Sequence, residues 1–190
     1  MKTIRIHRDH PAYPASLGKY LAEDAPEMIT AIGNTDILGN KTLAVFCSVK
    51  CPGKIILKTY ELMRKLREHG VTVISGFHSP MEQECLNILL RGKQPVIICP
   101  ARGIEGMRIK KEYIKPIEAG RLLLLSSFSN KDNRISSKRA YRRNRFAAAL
   151  ADEILVPYAA PGSRTGALRK ELLEKGKTVL TFHRVRCNTS

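Results

Sequence analysis

The sequence predicts an α/β fold built on a doubly wound, mostly parallel sheet. Short apolar runs alternate with longer amphipathic segments through the last three-quarters of the chain. That alternation is typical of parallel strands joined by right-handed helical crossovers. The chain has 190 residues, 43% of them hydrophobic, which is enough for one domain with a substantial core.

Six apolar runs are the predicted strands, because their composition suits strands that are covered on both faces. The runs are Leu43–Cys47, Val71–Ser75, Pro95–Cys99, Leu122–Ser126, Glu153–Pro157 and Thr178–Phe182. One helix is predicted from Pro52-Gly53 to His69-Gly70, and another begins near Ser79-Pro80, with proline at a first helical position. Further helices are predicted over 108–119, 139–151 and 164–175.

Residues 1–41 are predicted to be an N-terminal extension packed on the core, with a short helix over 26–32. A domain over 42–185 and a tail over 186–190 follow. No stretch approaches the roughly 20 apolar residues of a membrane helix, and the N-terminus lacks the apolar segment of a signal peptide. The five cysteines do not resemble a secreted disulfide framework. We therefore expect a cytoplasmic protein without membrane association.

The charge balance favours a polyanionic partner. The chain has 33 Lys and Arg against 17 Asp and Glu, a formal net charge of +16. Nucleic acid is the first candidate, ahead of an anionic membrane surface or a phosphorylated small ligand, and solubility alone is the remaining explanation. The charge is also concentrated, since residues 102–145 hold 13 basic and 4 acidic side chains.

The densest cationic stretch lies in the predicted helix near residue 140. Aromatic rings adjoin it at Tyr141 and Phe146. Cations beside rings suit single-stranded DNA, whose phosphates they neutralise and whose bases stack. The alternative is a solvated helix face with its rings in the core. The predicted nucleic-acid-binding residues are Lys138, Arg139, Arg142, Arg143, Asn144 and Arg145, together with Lys50 in an earlier loop.

The loops after the strands meet at one edge of the predicted sheet, where α/β proteins bind ligands. The first turn, Cys47–Gly53, has neither a dinucleotide fingerprint nor a P-loop. Ser48 and the backbone amides at the start of the next helix could still hold a phosphate. Ser75 and Gly76 end the second strand, and the glycine would let a ligand approach the backbone. The last such loop predicts an anion site, or else an ordinary turn, at Gly162, Ser163, Arg164 and Thr165.

No metal, cofactor or catalytic group is predicted. Cys47 and Cys51 are four residues apart, but no Cys/His cluster completes a zinc site. His78 and Glu82 would suit an acid/base pair, yet no activated nucleophile accompanies them. A polar loop that caps the following helix explains them equally well.

Taken in order, the motifs resemble those of the DNA-processing protein A (DprA/Smf) family. The match covers about residues 11–182, and Arg-Asn-Arg is its most specific part. The matching motifs are Tyr13-Pro14, Ser75-Gly76, Arg143-Asn144-Arg145-Phe146 with Ala149-Leu150-Ala151-Asp152, and Gly162-Ser163. The resemblance implies an extended Rossmann-like fold, a homodimer, single-stranded DNA binding and the loading of a RecA-type recombinase during transformation.

The chain departs from the family pattern in the first turn. The family's Gly and Arg correspond here to Cys47 and Val49, so a phosphate-binding arginine is lost. No winged-helix domain is expected after the core. The alternative is an enzyme or nucleotide sensor of the wider superfamily that includes the lysine-decarboxylase-like phosphoribohydrolases. The stretch from Pro161 to Gly166 distantly resembles their Pro-Gly-Gly-x-Gly-Thr loop, and Glu82 or Glu171 would then act as the acid.

Overall fold

The apolar runs form strands and the amphipathic segments form helices. The computed structural model describes residues 1–129 and 136–182. Within them the strands are β1 (Ile4–His7), β2 (Met28–Ile32), β3 (Thr42–Val45), β4 (Thr72–Ser75), β5 (Val96–Ile98), β6 (Leu122–Ser126), β7 (Glu153–Leu155) and β8 (Thr178–Leu180). The helices are α1 (Ala15–Leu21), α2 (Gly53–Leu66), α3 (Pro80–Leu90), α4 (Lys111–Glu118), α5 (Ser137–Leu150) and α6 (Arg164–Glu174).

The strands form one sheet in the order β1-β2-β6-β5-β4-β3-β7-β8. Neighbours from β6 to β8 are parallel, β2 is antiparallel to β6, and β1 is antiparallel to β2. The predicted doubly wound, mostly parallel α/β fold is therefore confirmed. The carboxyl ends of all the parallel strands lie at one edge of the sheet, together with the end of β1 and the start of β2. We call this the carboxyl edge.

Successive residues of each central strand enter two different hydrophobic clusters. Ile74 and Ile97 pack toward α1, α5 and α6, whereas Val73 and Val96 pack toward α2, α3 and α4. This alternation follows from the two-residue period of a strand whose sheet is covered on both faces. Full burial of one such side chain contributes about 1.5–3 kcal/mol, so the two helical layers are held mainly by apolar contact.

The short helix predicted over 26–32 is wrong, because Met28–Ile32 forms β2. Four consecutive residues of this segment are buried, which requires cover on both faces, and its β-branched residues favour a strand. The N-terminal extension thus adds two antiparallel strands to the sheet. The domain boundary at residue 42 stays a prediction, and the predicted tail over 186–190 lies outside the described residues.

None of the described helices combines the length and the hydropathy that crossing a lipid bilayer requires.

A carboxylate joins the starts of β3 and β7. Asp152 Oδ2 accepts hydrogen bonds from the backbone N–H of Thr42 at 2.8 Å and from its hydroxyl at 3.0 Å. Thr42 is buried, so removal of the carboxylate leaves buried donors without this acceptor.

We expect Asp152→Ala to lower the free energy of unfolding by about 1–3 kcal/mol, the cost of unsatisfied buried donors. The measurement is the urea midpoint at constant m-value. The matched control is Glu153→Ala on the next residue, whose 3.8 Å ion pair with Lys41 is exposed and contributes only about 0–1 kcal/mol. Equal losses in the two variants would contradict this role for Asp152.

Candidate nucleic-acid interface

A cavity of about 320 Å³ opens at the carboxyl edge beyond β4, β5 and β6. We call it pocket A. Its walls come from the loop after β4, the loop after β5, the start of α4 and the N-terminal half of α5. Its polar side chains are Arg102, Arg108, Lys110, Arg143, His78 and Gln83, and its larger apolar ones are Phe77, Ile98, Met107, Tyr113 and Leu124.

The lining of pocket A combines positive charge with aromatic rings. Four cations line it, and no Asp or Glu is among its lining residues in the described part of the chain. Lys110 Nζ lies 5.3 Å from the centre of the Tyr113 ring, and Arg108 and Lys110 are exposed at the mouth. Phe77 adopts a left-handed φ of 46°, an unfavourable backbone conformation of the kind that concentrates at functional sites.

Arg143 forms the back of pocket A. Its side chain is buried, its Nη1 donates to the carbonyl of Cys99 at 3.0 Å, and its Nε donates to Asn144 Oδ1 at 2.7 Å. A Cβ on Gly76 would lie 1.5 Å from Arg143 Nη1, so the guanidinium occupies the space that glycine leaves. Burial lowers the pKa of Arg143 below its usual value, although the negative charge of Glu82 opposes the shift. Arg143 is thus held by contacts within the protein, and the DNA contacts predicted for Arg143 and Asn144 stay predictions.

The remaining cations of α5 divide into two groups. Lys138 and Arg142, one turn apart, are exposed, and Arg142 lies 5.5 Å from the centre of the Phe128 ring. Arg139 is half-buried. Phe146, one of the rings proposed for stacking, is buried in the core. The position of each residue around the axis of α5 therefore decides which of the predicted residues face solvent.

Arg145 belongs to an ion-pair network that joins α5 to α6 and to the N-terminal segment. Its guanidinium pairs with Asp24 Oδ2 and with Glu171 Oε1, each at 2.8 Å. Glu171 also accepts hydrogen bonds from the Tyr141 hydroxyl at 2.7 Å and pairs with Lys175 at 3.3 Å. Burial and the bond to Glu171 raise the pKa of Tyr141 to about 12.

The first turn and the loop before α6 meet through two serines. Ser48 Oγ donates to Ser163 Oγ at 3.0 Å and accepts from the backbone N–H of Ala160. Ser163 caps α6, because its Oγ accepts from the backbone N–H of Gly166. The two hydroxyls are thus bound within the protein, while Lys50 in the first turn and Arg164, the first residue of α6, are exposed.

One protein-family model matches this chain over almost its whole length. The family model for DNA recombination-mediator protein A matches residues 4–185. The chain belongs to this family. No curated protein sequence matches it.

Two solved structures of the family share the fold. The DNA processing protein A (DprA) of Streptococcus pneumoniae superposes with a TM-score of 0.77 at 20% identity, over 95% of this chain and 63% of that one. The DNA processing protein A of Helicobacter pylori, whose structure concerns its single-stranded DNA binding mode, gives a TM-score of 0.75 at 17% identity, over 95% and 80%. This family member therefore spans less than two thirds of the S. pneumoniae protein.

Two polar loops of this family member have structural roles. Glu82 completes a capping box at the start of α3, with its Oε2 accepting from the backbone N–H groups of His78 and Ser79. Its Oε1 accepts from the N–H of Cys47 at 3.4 Å. Ser75 is fully buried, and its hydroxyl donates to the carbonyl of Val45 at 2.7 Å. The Glu82 carboxylate and the Ser75 hydroxyl thus connect the ends of β3 and β4 and the start of α3.

The cysteines of the first turn are buried or half-buried thiols. Burial raises the pKa of both the Cys47 and the Cys51 thiols, and Cys51 Sγ donates to the carbonyl of Pro52 at 3.8 Å. Among residues 1–129 and 136–182 no group of three or more His, Cys, Asp or Glu side chains is placed to hold a metal ion.

Sequence reasoning missed the residues of the loop after β5. Arg102, Arg108 and Lys110 line pocket A, yet the sequence motifs did not single them out. The predicted helix over 108–119 concealed two of them, since α4 begins only at Lys111. The available signal was their charge, directly after a predicted strand and close to Met107 and Tyr113.

We expect Gly76→Ala and Arg143→Ala to destabilise the protein non-additively. The alanine methyl must displace the guanidinium and break its bond to Cys99, whereas without Arg143 the methyl has room. The double variant should lose less free energy of unfolding than the sum of the single variants, by about 0.5–3 kcal/mol. Urea unfolding of the four proteins measures this coupling.

The control for that cycle is Gly18→Ala, because a Cβ on this helical glycine meets no atom within 4 Å. Gly18→Ala should stabilise the protein by about 0.4–1 kcal/mol. Its effect on the free energy of unfolding should be additive with that of Arg143→Ala. Strict additivity of Gly76→Ala and Arg143→Ala would show that the contact has no energetic role.

Glu171 should make stability depend on acid pH. Partial burial opposes its ionisation, but Tyr141, Arg145 and Lys175 outweigh burial and hold its pKa below the usual value. A depressed carboxyl pKa contributes stability above the unfolded-state value of about 4.5, and that contribution is lost as pH falls through the folded-state pKa. Glu171→Gln should therefore lower Tm at pH 7, with a gap to wild type that closes as the pH falls below about 4.5 and through the folded-state pKa. A constant gap would contradict the ion-pair assignment.

Proposed function

We propose that this protein binds single-stranded DNA at the carboxyl edge, with pocket A receiving a nucleotide. The observation that carries the proposal is the lining of pocket A. Arg102, Arg108, Lys110 and the Tyr113 ring line it in front of buried Arg143 and Phe77, and none of its described lining residues is a carboxylate. Cations neutralise phosphates, and aromatic faces stack on bases of any sequence. The family's role in recombination and the single-stranded DNA binding of the H. pylori relative support the same partner.

The shape of pocket A favours a single strand over a duplex. At about 320 Å³ it is a concave site of the size that small ligands occupy. A base can enter such a site only when it is unstacked and unpaired, which costs least in a single strand. Weak sequence preference is expected, because the binding groups recognise phosphate charge and ring faces, and not base edges.

The strand is proposed to continue from pocket A along two cationic surfaces. On one side Lys138 and Arg142 extend the positive charge along α5, with Arg139 between them. On the other side Lys50 and Arg164 flank the joined first turn and last loop. The amides of Gly162, Arg164 and Thr165 supply further donors there, whereas that of Ser163 donates to the carbonyl of Ala160. The predicted anion site thus becomes a proposed phosphate contact. Arg143, Asn144, Arg145 and Ser75 then support the site without touching DNA.

Binding without turnover is the proposed mode of action. The phosphoribohydrolase alternative needs a carboxylic acid at the site, but Glu82 accepts three backbone hydrogen bonds and Glu171 is held by Tyr141, Arg145 and Lys175. By its family, the protein is further proposed to act as a homodimeric recombination mediator in the cytoplasm. A RecA-type recombinase and DNA uptake by transformation are its proposed partner and pathway.

We expect single-stranded DNA to bind more tightly than duplex, with an affinity that falls steeply with salt. Each neutralised phosphate of a single strand contributes roughly 0.7 to the log–log slope. Arg108→Ala with Lys110→Ala should therefore reduce the slope by about 1.4 and weaken binding about 10- to 100-fold near 0.1 M salt. Fluorescence anisotropy of a labelled thymidine oligonucleotide across a salt series measures both quantities.

The matched control is Arg64→Ala with Lys65→Ala, which removes the same charge. Both residues are exposed near the end of α2, which runs away from the carboxyl edge. This pair should change affinity less than threefold, a change of under about 0.7 kcal/mol. Salt-independent binding by the wild type, or equal losses in the two double variants, would overturn the proposed function.

A further inference from the structure

A second cavity, of about 530 Å³, lies on the other side of α5 from pocket A. We call it pocket B. One wall belongs to α5 and carries Lys138, Arg142 and Arg145, and the opposite wall is the segment from Leu21 to Glu27. That segment carries three carboxylates, Glu23, Asp24 and Glu27, which we call the acidic wall. Exposed cations of the proposed DNA path thus face a row of negative charge across one cavity.

The acidic wall is held in place by buried neighbours. Leu21, Ala25 and Pro26 are buried, and the Tyr13 hydroxyl donates to the carbonyl of Pro26 at 2.6 Å. Ala22 has a φ of 50°, a left-handed conformation that a non-glycine residue adopts only when its surroundings impose it. The carboxylates therefore project from a fixed backbone.

The charges of the wall interact with α5, yet they stay accessible. Asp24 pairs with Arg145 at 2.8 Å while 65% of its side chain is exposed. The hydrogen bond from Arg145 holds the pKa of Asp24 below its usual value, so the carboxylate is charged at neutral pH. Glu23 and Glu27 are exposed as well, and Glu27 pairs with Arg8 at 3.2 Å while 82% of its side chain stays exposed.

Pocket B has Lys138 and Arg142 on one wall and the acidic wall opposite them. The two backbones of a duplex lie about 6–12 Å apart across its grooves, so both lie close to any cation that one of them contacts. When one backbone rests on Lys138 and Arg142, the second backbone of a duplex comes over the acidic wall. A single strand has no second backbone and avoids that contact.

We propose that Glu23, Asp24 and Glu27 are specificity determinants that exclude duplex nucleic acid by repelling its second phosphate backbone. This inference rests on the proposed function. Like charges brought together across an interface suppress the wrong partner at little cost to the right one. The chain thus keeps a highly cationic surface while it discriminates between two polyanions that carry the same phosphates.

The test neutralises the wall and compares two DNA forms. In Glu23→Gln/Asp24→Asn/Glu27→Gln, affinity for a 20-base-pair duplex should rise at least tenfold near 0.1 M salt. Affinity for the matching single strand should rise no more than about threefold, since a single strand has no second backbone for the acidic wall to repel. Because the repulsion is screened, the difference should shrink toward 1 M salt, where the Debye length is about 3 Å.

The matched control, Asp9→Asn/Glu61→Gln/Glu118→Gln, adds the same net charge at exposed residues outside pockets A and B. It should raise both affinities by a similar, small factor. Glu23→Gln alone, at an exposed side chain, is a second variant that should shift the duplex-to-single-strand ratio in the same direction.

Equal gains for both DNA forms in the wall variants would overturn this inference and leave the proposed function intact. Loss of duplex affinity would also overturn it. Failure of the wild type to bind single-stranded DNA at low salt would instead overturn the proposed function itself. Anisotropy titrations, with Tm measured on every variant, separate these outcomes.

Discussion

The buried guanidinium of Arg143 stands at the junction of the elements that build the candidate site. It fills the space beside Gly76 at the end of β4, bonds the Cys99 carbonyl beyond β5 and lies on α5. Its charge interacts with Glu82, which caps α3 and accepts a hydrogen bond from the N–H of Cys47 after β3. Taking a charged group out of water is costly unless it is fully bonded. The strand ends around it must therefore keep their spacing, and pocket A takes its shape from that spacing.

The sequence allowed the parallel part of the sheet to be predicted because each buried strand is a continuous apolar run. The two N-terminal strands were not predicted, for a physical reason. β1 alternates apolar and polar residues over only four positions. β2 pairs with β6, almost a hundred residues away. Pairing at that separation depends on the tertiary fold, which local pattern does not contain.

The candidate site was only partly predictable. The cationic density of α5 is visible in the sequence, but the division between exposed Lys138 and Arg142 and buried Arg143 depends on how the helix packs on the sheet. The contribution of Arg102 and Arg108 was hidden because the loop after β5 is longer than expected. Electrostatic function here depends less on the number of charges than on which of them the fold leaves in water.

The direction of β1 has a practical consequence. The strand runs toward the carboxyl edge, with Ile4 level with Leu125 near the end of β6 and His7 beyond that end. The chain ahead of Ile4 therefore points away from the carboxyl edge, and a tether attached there starts in that direction. Capture of the protein on a sensor surface through its first residues would present the cationic edge to solution, where long oligonucleotides meet no obstruction from the support.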